Sequence, residues 1–294
     1  EPARQLLAEL QTSTAVGTYE GEVAWRGGER TVCRLQPAET LSKPLPLRLR
    51  GDGCYVVTGA FGALGKLVCR TLAKRGARRL VLMGRTELPA RSEWAQLEQN
   101  HPAAAAVGFI RELETLGVEP ILAAVDVGNE YSLKTWFASF KARQLPPVRG
   151  VFHLAGQVRD TLLPEMTLDT FNAAYNPKVL GGYLLHKYLA AEPLDYFVLF
   201  ASVASLLTTA GQTNYAAGNA FLDALALYRR AEGLPALSID WGPWATGMIE
   251  ELGLIEHYRN SRGMNSLAAE AGMDVLERVL GQDTAQLMVN TVVD

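Results

Sequence analysis

A tyrosine that passes a proton near neutral pH needs a cation close by, because its unperturbed pKa is about 10. Tyr215 lies in Asn214-Tyr215-Ala216-Ala217-Gly218-Asn219, so the side chain one helical turn on is an amide, Asn219, where a lysine would have served. The cation must come from another segment. Upstream, Lys178 sits in the core-type helical stretch Asn176-Pro177-Lys178-Val179-Leu180-Gly181-Gly182, with Lys187 as a competitor further along; spacing alone does not choose between them. Ser202 closes the apolar run Tyr196–Ala201, which brings its hydroxyl to the carboxyl edge of a strand. A phenol, a hydroxyl and a cation suit proton donation to an oxygen that gains negative charge.

A nucleotide turn stands well upstream. Thr58-Gly59-Ala60-Phe61-Gly62-Ala63-Leu64-Gly65 follows the apolar run Cys54–Thr58 and precedes a helical pattern over Lys66–Arg75. Glycines in that context let the backbone approach a pyrophosphate at a helix N-terminus. The second strand ends Met83-Gly84-Arg85, with no acid to accept a ribose hydroxyl, and a guanidinium there suits the extra phosphate of NADP. Asp126 ends the third strand and suits either an adenine contact or a helix N-cap. His153-Leu154-Ala155-Gly156 offers small residues, Ala155 and Gly156, for close approach to the cofactor, and His153 reads as structural.

These residues need a scaffold that gathers strand ends. Apolar runs at Cys54–Thr58, Leu80–Met83, Ile121–Val125, Gly150–Leu154, Tyr196–Ala201, Ala236–Asp240 and Gln286–Val289 alternate with helix-length amphipathic stretches. Near-continuous apolar strands are those covered on both faces, so the fold class is α/β: a Rossmann-like, doubly wound parallel sheet of about seven strands. The first fifty residues differ. A short helix over Pro2–Leu10 precedes two alternating strands, Glu22–Arg26 and Arg30–Leu35, joined at Gly27-Gly28 as an N-terminal β-hairpin appendage, and Leu41–Arg50 reads as a linker.

With 294 residues, 48% apolar and 20% charged, the chain can bury a large core. A net charge of -3 gives no general attraction for nucleic acid or an anionic membrane surface. Three cysteines without metal-ligand spacing point to reduced thiols, a cytoplasmic setting and no metal. The uncharged stretch Tyr196–Leu222 is broken by Thr208–Asn214, which argues against a membrane span. The opening Glu1-Pro2, without methionine, suggests a piece of a longer polypeptide.

Taken together, Thr58–Gly65, His153–Gly156, Pro177-Lys178-Val179, Phe200-Ala201-Ser202 and Asn214–Asn219 resemble ketoreductase domains of modular polyketide synthases, a branch of the short-chain dehydrogenase/reductase family. The resemblance spans residues 51–294. It implies a catalytic tetrad of Lys178, Ser202, Tyr215 and Asn219, the lysine and asparagine having exchanged places in sequence. It implies NADPH, held by Thr58, Gly59, Phe61, Gly62, Ala63, Leu64, Gly65, Arg85, Asp126, Val127, Ala155, Gly156, Lys178, Tyr215 and Pro243. It implies reduction of a β-ketoacyl thioester borne by an acyl carrier protein, beside neighbouring synthase domains. Trp241–Trp244 would line the nicotinamide side, and Thr246–Ser266 would form a lid. Substrate and stereocontrol contacts fall to Asp160, Leu207, Ala217 and Met248. Asp160 retains the last acid of a Leu-Asp-Asp signature that reads Val158-Arg159-Asp160 here, and Leu207 stands where producers of the opposite alcohol carry tryptophan, so the D-(3R)-alcohol is expected. Ala217 in place of proline points to an unepimerised or α-unbranched substrate. Residues 1–50 resemble the end of the structural subdomain that precedes such catalytic domains. Rival readings are a fatty acid synthase ketoreductase, a silent NADP-binding scaffold, and an extended-branch epimerase, which Asn219 disfavours.

Overall fold

The computed structural model describes the chain except residues 1, 17–19, 21–22, 39–46, 208–209, 248–252, 254 and 293–294, and gives the backbone alone for 12–16, 257–258, 261–262 and 292. Two compact units emerge, residues 1–42 and 43–294. In the first, helix α1 (Pro2–Val16) runs past the expected Leu10, and strands β1 (Val23–Arg26) and β2 (Glu29–Val32) form an antiparallel hairpin turned at Gly27-Gly28. Arg30 donates to Glu9 and ties the hairpin to the helix.

The second unit is built on seven strands: β3 (Cys54–Thr58), β4 (Arg79–Gly84), β5 (Glu119–Ala124), β6 (Val148–His153), β7 (Tyr196–Ser202), β8 (Leu237–Trp241) and, after the short β9 (Met264–Asn265), β10 (Gln286–Val289). All seven pair in parallel, in the order β5-β4-β3-β6-β7-β8-β10. The chain winds outward from β3 to β5, then restarts at β6 on the other side. This reversal opens a crevice at the carboxyl ends of β3 and β6.

Strand alternation sends successive residues to opposite faces. Tyr55 and Val57 face α2 (Ala63–Lys74), α3 (Ala104–Thr115) and the helix Ala269–Val279. Cys54 and Val56 face α4 (Glu130–Ala142), α5 (Leu168–Leu189) and α6 (Thr213–Ala231). Both faces are covered, which is why the strands read as unbroken apolar runs. The uncharged stretch from Tyr196 resolves into β7, a 3-10 turn at Val203–Ser205 and the start of α6, and no helix among the described residues is long and apolar enough to cross a membrane.

Three local features depart from the sequence expectation. Helix α2 begins at Ala63, three residues before Lys66, because the glycine turn runs straight into its first turn. Residues 47–50, expected as linker, are part of the second unit: Leu49 is buried and its N–H donates to Arg75 O. Within the expected lid, Met264–Asn265 pairs with β11 (Thr291–Val292), and just outside its two ends Ala245 N–H donates to Leu267 O and Leu267 N–H to Pro243 O. That anchorage includes a tight contact. A Cβ on Gly272 would stand 2.1 Å from the ring of Trp244. Gly272→Ala should therefore overpack this corner and cost about 1–3 kcal/mol, read as a fall in Tm on thermal unfolding; an unchanged Tm would show that the indole moves aside freely.

Candidate active site

Lys178 is the centre of the site. Its side chain is 4% exposed, its Nζ donates to Phe200 O at 2.9 Å, and Nζ lies 5.4 Å from the centroid of the Tyr215 ring. Burial pushes the amine down to about 8, against the pull of two buried acids, Asp223 and Asp240. Asp240 is itself pushed up to about 8 by burial and by Asp223, while Gln286 and Ser205 donate to it. Lys187, the rival, pairs in solvent with Glu130 at 2.6 Å.

Ser202 ends β7 beside Trp241 of β8. Its Oγ accepts from Ala204 N–H at 3.2 Å, which leaves the hydroxyl hydrogen available to another acceptor. Tyr215 is half-buried in the first turn of α6. Asn219 is fully buried one turn on; its Nδ2 donates to Tyr215 O at 2.8 Å, and its Oδ1 has no hydrogen-bond partner among the described residues.

A cleft of about 450 Å³ joins these groups to the glycine turn. Lys178, Ser202 and Tyr215 line it with Gly59, Gly62, Ala63, Leu64 and Gly65 of the turn, Ala155 and Gly156 after β6, Asp160, Leu207 and Pro243. Trp241, Gly242 and Trp244 also reach it, though both indoles are otherwise buried, with centroids 4.8 Å apart. The remaining expected residues take other positions. Asn219 lies behind the lining. Phe61 turns away to pack edge-on against Phe109. Arg85 is exposed at the end of β4 and makes no ion pair among the described residues. Asp126 accepts from Gly128 N–H at 2.9 Å, and Asn129, rather than Asp126, caps α4. Val127 is buried, Ala217 is half-buried on α6, and Met248 lies outside the described residues.

Thr58 holds the two halves of the crevice together. Its Oγ1 accepts from Leu154 N–H (3.1 Å) and Ala155 N–H (3.0 Å) and lies 2.8 Å from His153 Nδ1. With both lone pairs used, the hydroxyl donates to the imidazole, so Nδ1 is unprotonated. Burial and the charge of Lys178 hold His153 down at about 3, which keeps the ring neutral. His153 is structural, as expected.

The glycine turn fits a dinucleotide. A Cβ on Gly65 would lie 2.2 Å from Gly59 O, so only glycine allows this closure, and Gly59 has φ +67. Gly62, the N-cap of α2, has no side chain to cap the helix, which leaves its first N–H groups to an anion.

Sequence reasoning passed over three contributors. Gln212 Nε2 donates to Asp160 Oδ2 at 3.0 Å; Asn214 Nδ2 donates to Arg159 O and Thr170 O while its Oδ1 accepts from Tyr215 N–H; and Asp240 sits inside an apolar strand. The last carried a legible signal, an acid within Leu-Ser-Ile-Asp-Trp.

Against known proteins, residues 53–246 match the model of the KR domain family. The chain belongs to the KR domain family. KR domains are oxidoreductases that reduce β-keto groups with a nicotinamide cofactor, and this domain is one of them. It is 36% identical over 248 residues to 6-methylsalicylic acid synthase of Aspergillus niger, covering 83% of this chain but 14% of that relative. The chain thus spans a small fraction of the multidomain synthases it matches. Among solved structures, a ketoreductase from the first module of phoslactomycin biosynthesis in Streptomyces sp. HK803 superposes with a TM-score of 0.79 at 32% identity, covering 97% of this chain and 62% of that one. An A1-type ketoreductase gives 0.76 at 32% identity, covering 97% and 57%.

The depressed lysine sets a pH expectation. An amine at about 8 is charged below that pH and neutral above it, so kcat/KM should be level through neutrality and fall as pH rises past about 8. Lys178→Arg holds its charge throughout and should flatten this limb at lower amplitude. A limb that persists in the arginine variant would assign the titration to another group.

Proposed function

We propose that the domain uses NADPH to reduce a β-ketoacyl thioester on the phosphopantetheine arm of an acyl carrier protein, giving the D-(3R)-alcohol during polyketide chain extension. The observation that carries this reading is the convergence of Lys178, Ser202 and Tyr215 on one cleft whose other end is the glycine turn. Bound NADPH supplies the hydride. Tyr215 holds the proton and releases it to the carbonyl oxygen, and Ser202, whose Oγ accepts from Ala204 N–H and keeps its hydrogen free, donates to the same oxygen. The Lys178 cation over the Tyr215 ring favours the phenolate that remains. The unpaired Oδ1 of buried Asn219 suits a water that returns the proton.

Arg85 supports NADPH over NADH, because it stands at the end of β4 with no carboxylate to neutralise it among the described residues. The stereochemical reading rests on Asp160 and Leu207, both in the cleft lining, and overall fold does not decide it, since an A1-type ketoreductase superposes nearly as well. Residues 1–50 are read as the end of a structural subdomain; Leu6, Leu7 and Leu10 of α1 are more than half exposed, an apolar stripe that a lone hairpin leaves uncovered.

The test follows NADPH absorbance with a β-ketoacyl pantetheine thioester and resolves the product on a chiral column. Turnover with NADPH should exceed that with NADH at least tenfold, and Arg85→Ala should raise the KM for NADPH while sparing NADH. Tyr215→Phe should lose about 10²-fold or more. Equal turnover by Tyr215→Phe would falsify the enzymatic reading, whereas a predominantly L-product would overturn only the stereochemistry.

A further inference from the structure

Lys178 follows a proline inside α5, and a proline there has a definite cost. Pro177 carries no amide hydrogen, so the carbonyl of Ala173, four residues earlier, loses its helical donor. In this structure the donor is replaced from outside the helix. Gln157 Nε2 donates to Ala173 O at 2.7 Å. Gln157 belongs to the loop after β6 and lines the cleft, and its neighbour Gly156 presses on the lysine stem, since a Cβ there would lie 3.2 Å from Lys178 Cε. Two consecutive loop residues thus brace α5 at the lysine: one supplies the bond the proline removed, the other sets how closely the stem packs.

We infer that Gln157 is a positioning residue for the reduction, holding the proline-interrupted turn of α5 so that the Lys178 amine stays between Phe200 O and the Tyr215 ring. The inference rests on the proposed role of Lys178. Without the amide donor, Ala173 O faces a part-buried site with neither an intrahelical nor a side-chain partner, and the turn relaxes toward water. Released from its tight seat, the lysine becomes better hydrated, and its titration moves up toward that of an ordinary amine.

The pairing of glutamine with proline makes the inference testable by a double-mutant cycle, because Pro177→Ala restores an N–H to the helix and makes the external donor redundant. Parent, Gln157→Leu, Pro177→Ala and the double variant would be assayed for β-ketothioester reduction across pH. Gln157→Leu should lower kcat about tenfold, leave the KM for NADPH within about twofold, and move the alkaline limb upward; in the Pro177→Ala background the same substitution should cost less than about threefold. Gln157→Glu, isosteric but lacking the donor, covers the case in which leucine disturbs folding, and it should share the loss at neutral pH. Hydrogen exchange over residues 168–189 reads the turn without turnover: faster exchange in Gln157→Leu, and no acceleration once residue 177 is alanine, supports the bond. Equal losses in both backgrounds, an unmoved limb, or exchange that ignores residue 157 overturns the inference. Failure of the proposed function would show separately, as a parent whose activity does not depend on Tyr215.

Discussion

A positive charge kept out of water is the constraint on which the rest of this structure depends. The amine of Lys178 is nearly inaccessible, and burial alone drives it toward the neutral form. What keeps it usable is the arrangement around it: a carbonyl from β7 as acceptor, an aromatic face, and two buried carboxyl groups behind. The carbonyl comes from β7, the aromatic ring and Asp223 from α6, and Asp240 from β8, so the sheet order and the α5–α6 packing must both be right before the lysine can hold a proton. The acids are linked to the fold in turn, through Ser238 on Asp223 and through Ser205 and Gln286 on Asp240.

The cofactor half obeys a different rule, that of backbone contact. Gly59 lies against the backbone of Ala155, Gly65 against the carbonyl of Gly59, and the Thr58 hydroxyl stitches β3 to the loop after β6. No charge enters this seam. The Thr58 hydroxyl makes all three of its hydrogen bonds here, and His153 is locked in one neutral tautomer by the threonine it accepts from.

Much of this was legible in the amino-acid order. Strands buried on both faces announce themselves as apolar runs, so the seven-stranded sheet could be read strand by strand, with β3 and β10 matching at both ends and the other five shifted by one or two residues at one end or both. The glycine turn was readable because close approach leaves no substitute for glycine. Choosing Lys178 over Lys187 from spacing was harder, yet the physical reason is simple: nine residues are two and a half turns, which puts Lys187 on the opposite, solvent-facing side of α5 with Glu130. The hidden parts are those made by long-range side-chain bonds. Gln212 to Asp160, Gln157 to Ala173 and Asn214 to two carbonyls join segments that no periodicity brings together. Asp126 shows the converse, a residue whose type suited two roles: the cap falls to Asn129, and the Asp126 carboxylate accepts from Gly128 N–H in the local turn.

Asn214 ties together three segments that carry the site. One buried amide holds the carbonyl of Arg159, the first turn of α5 at Thr170 and the backbone of Tyr215 in a single cluster. The loop bearing Asp160, the helix bearing Lys178 and the helix bearing Tyr215 are therefore cut to one another. For anyone recombining synthases, the natural unit of exchange is the continuous block from the end of β6 through the first turns of α6, because a shorter graft would import one partner of this knot and strand the other two.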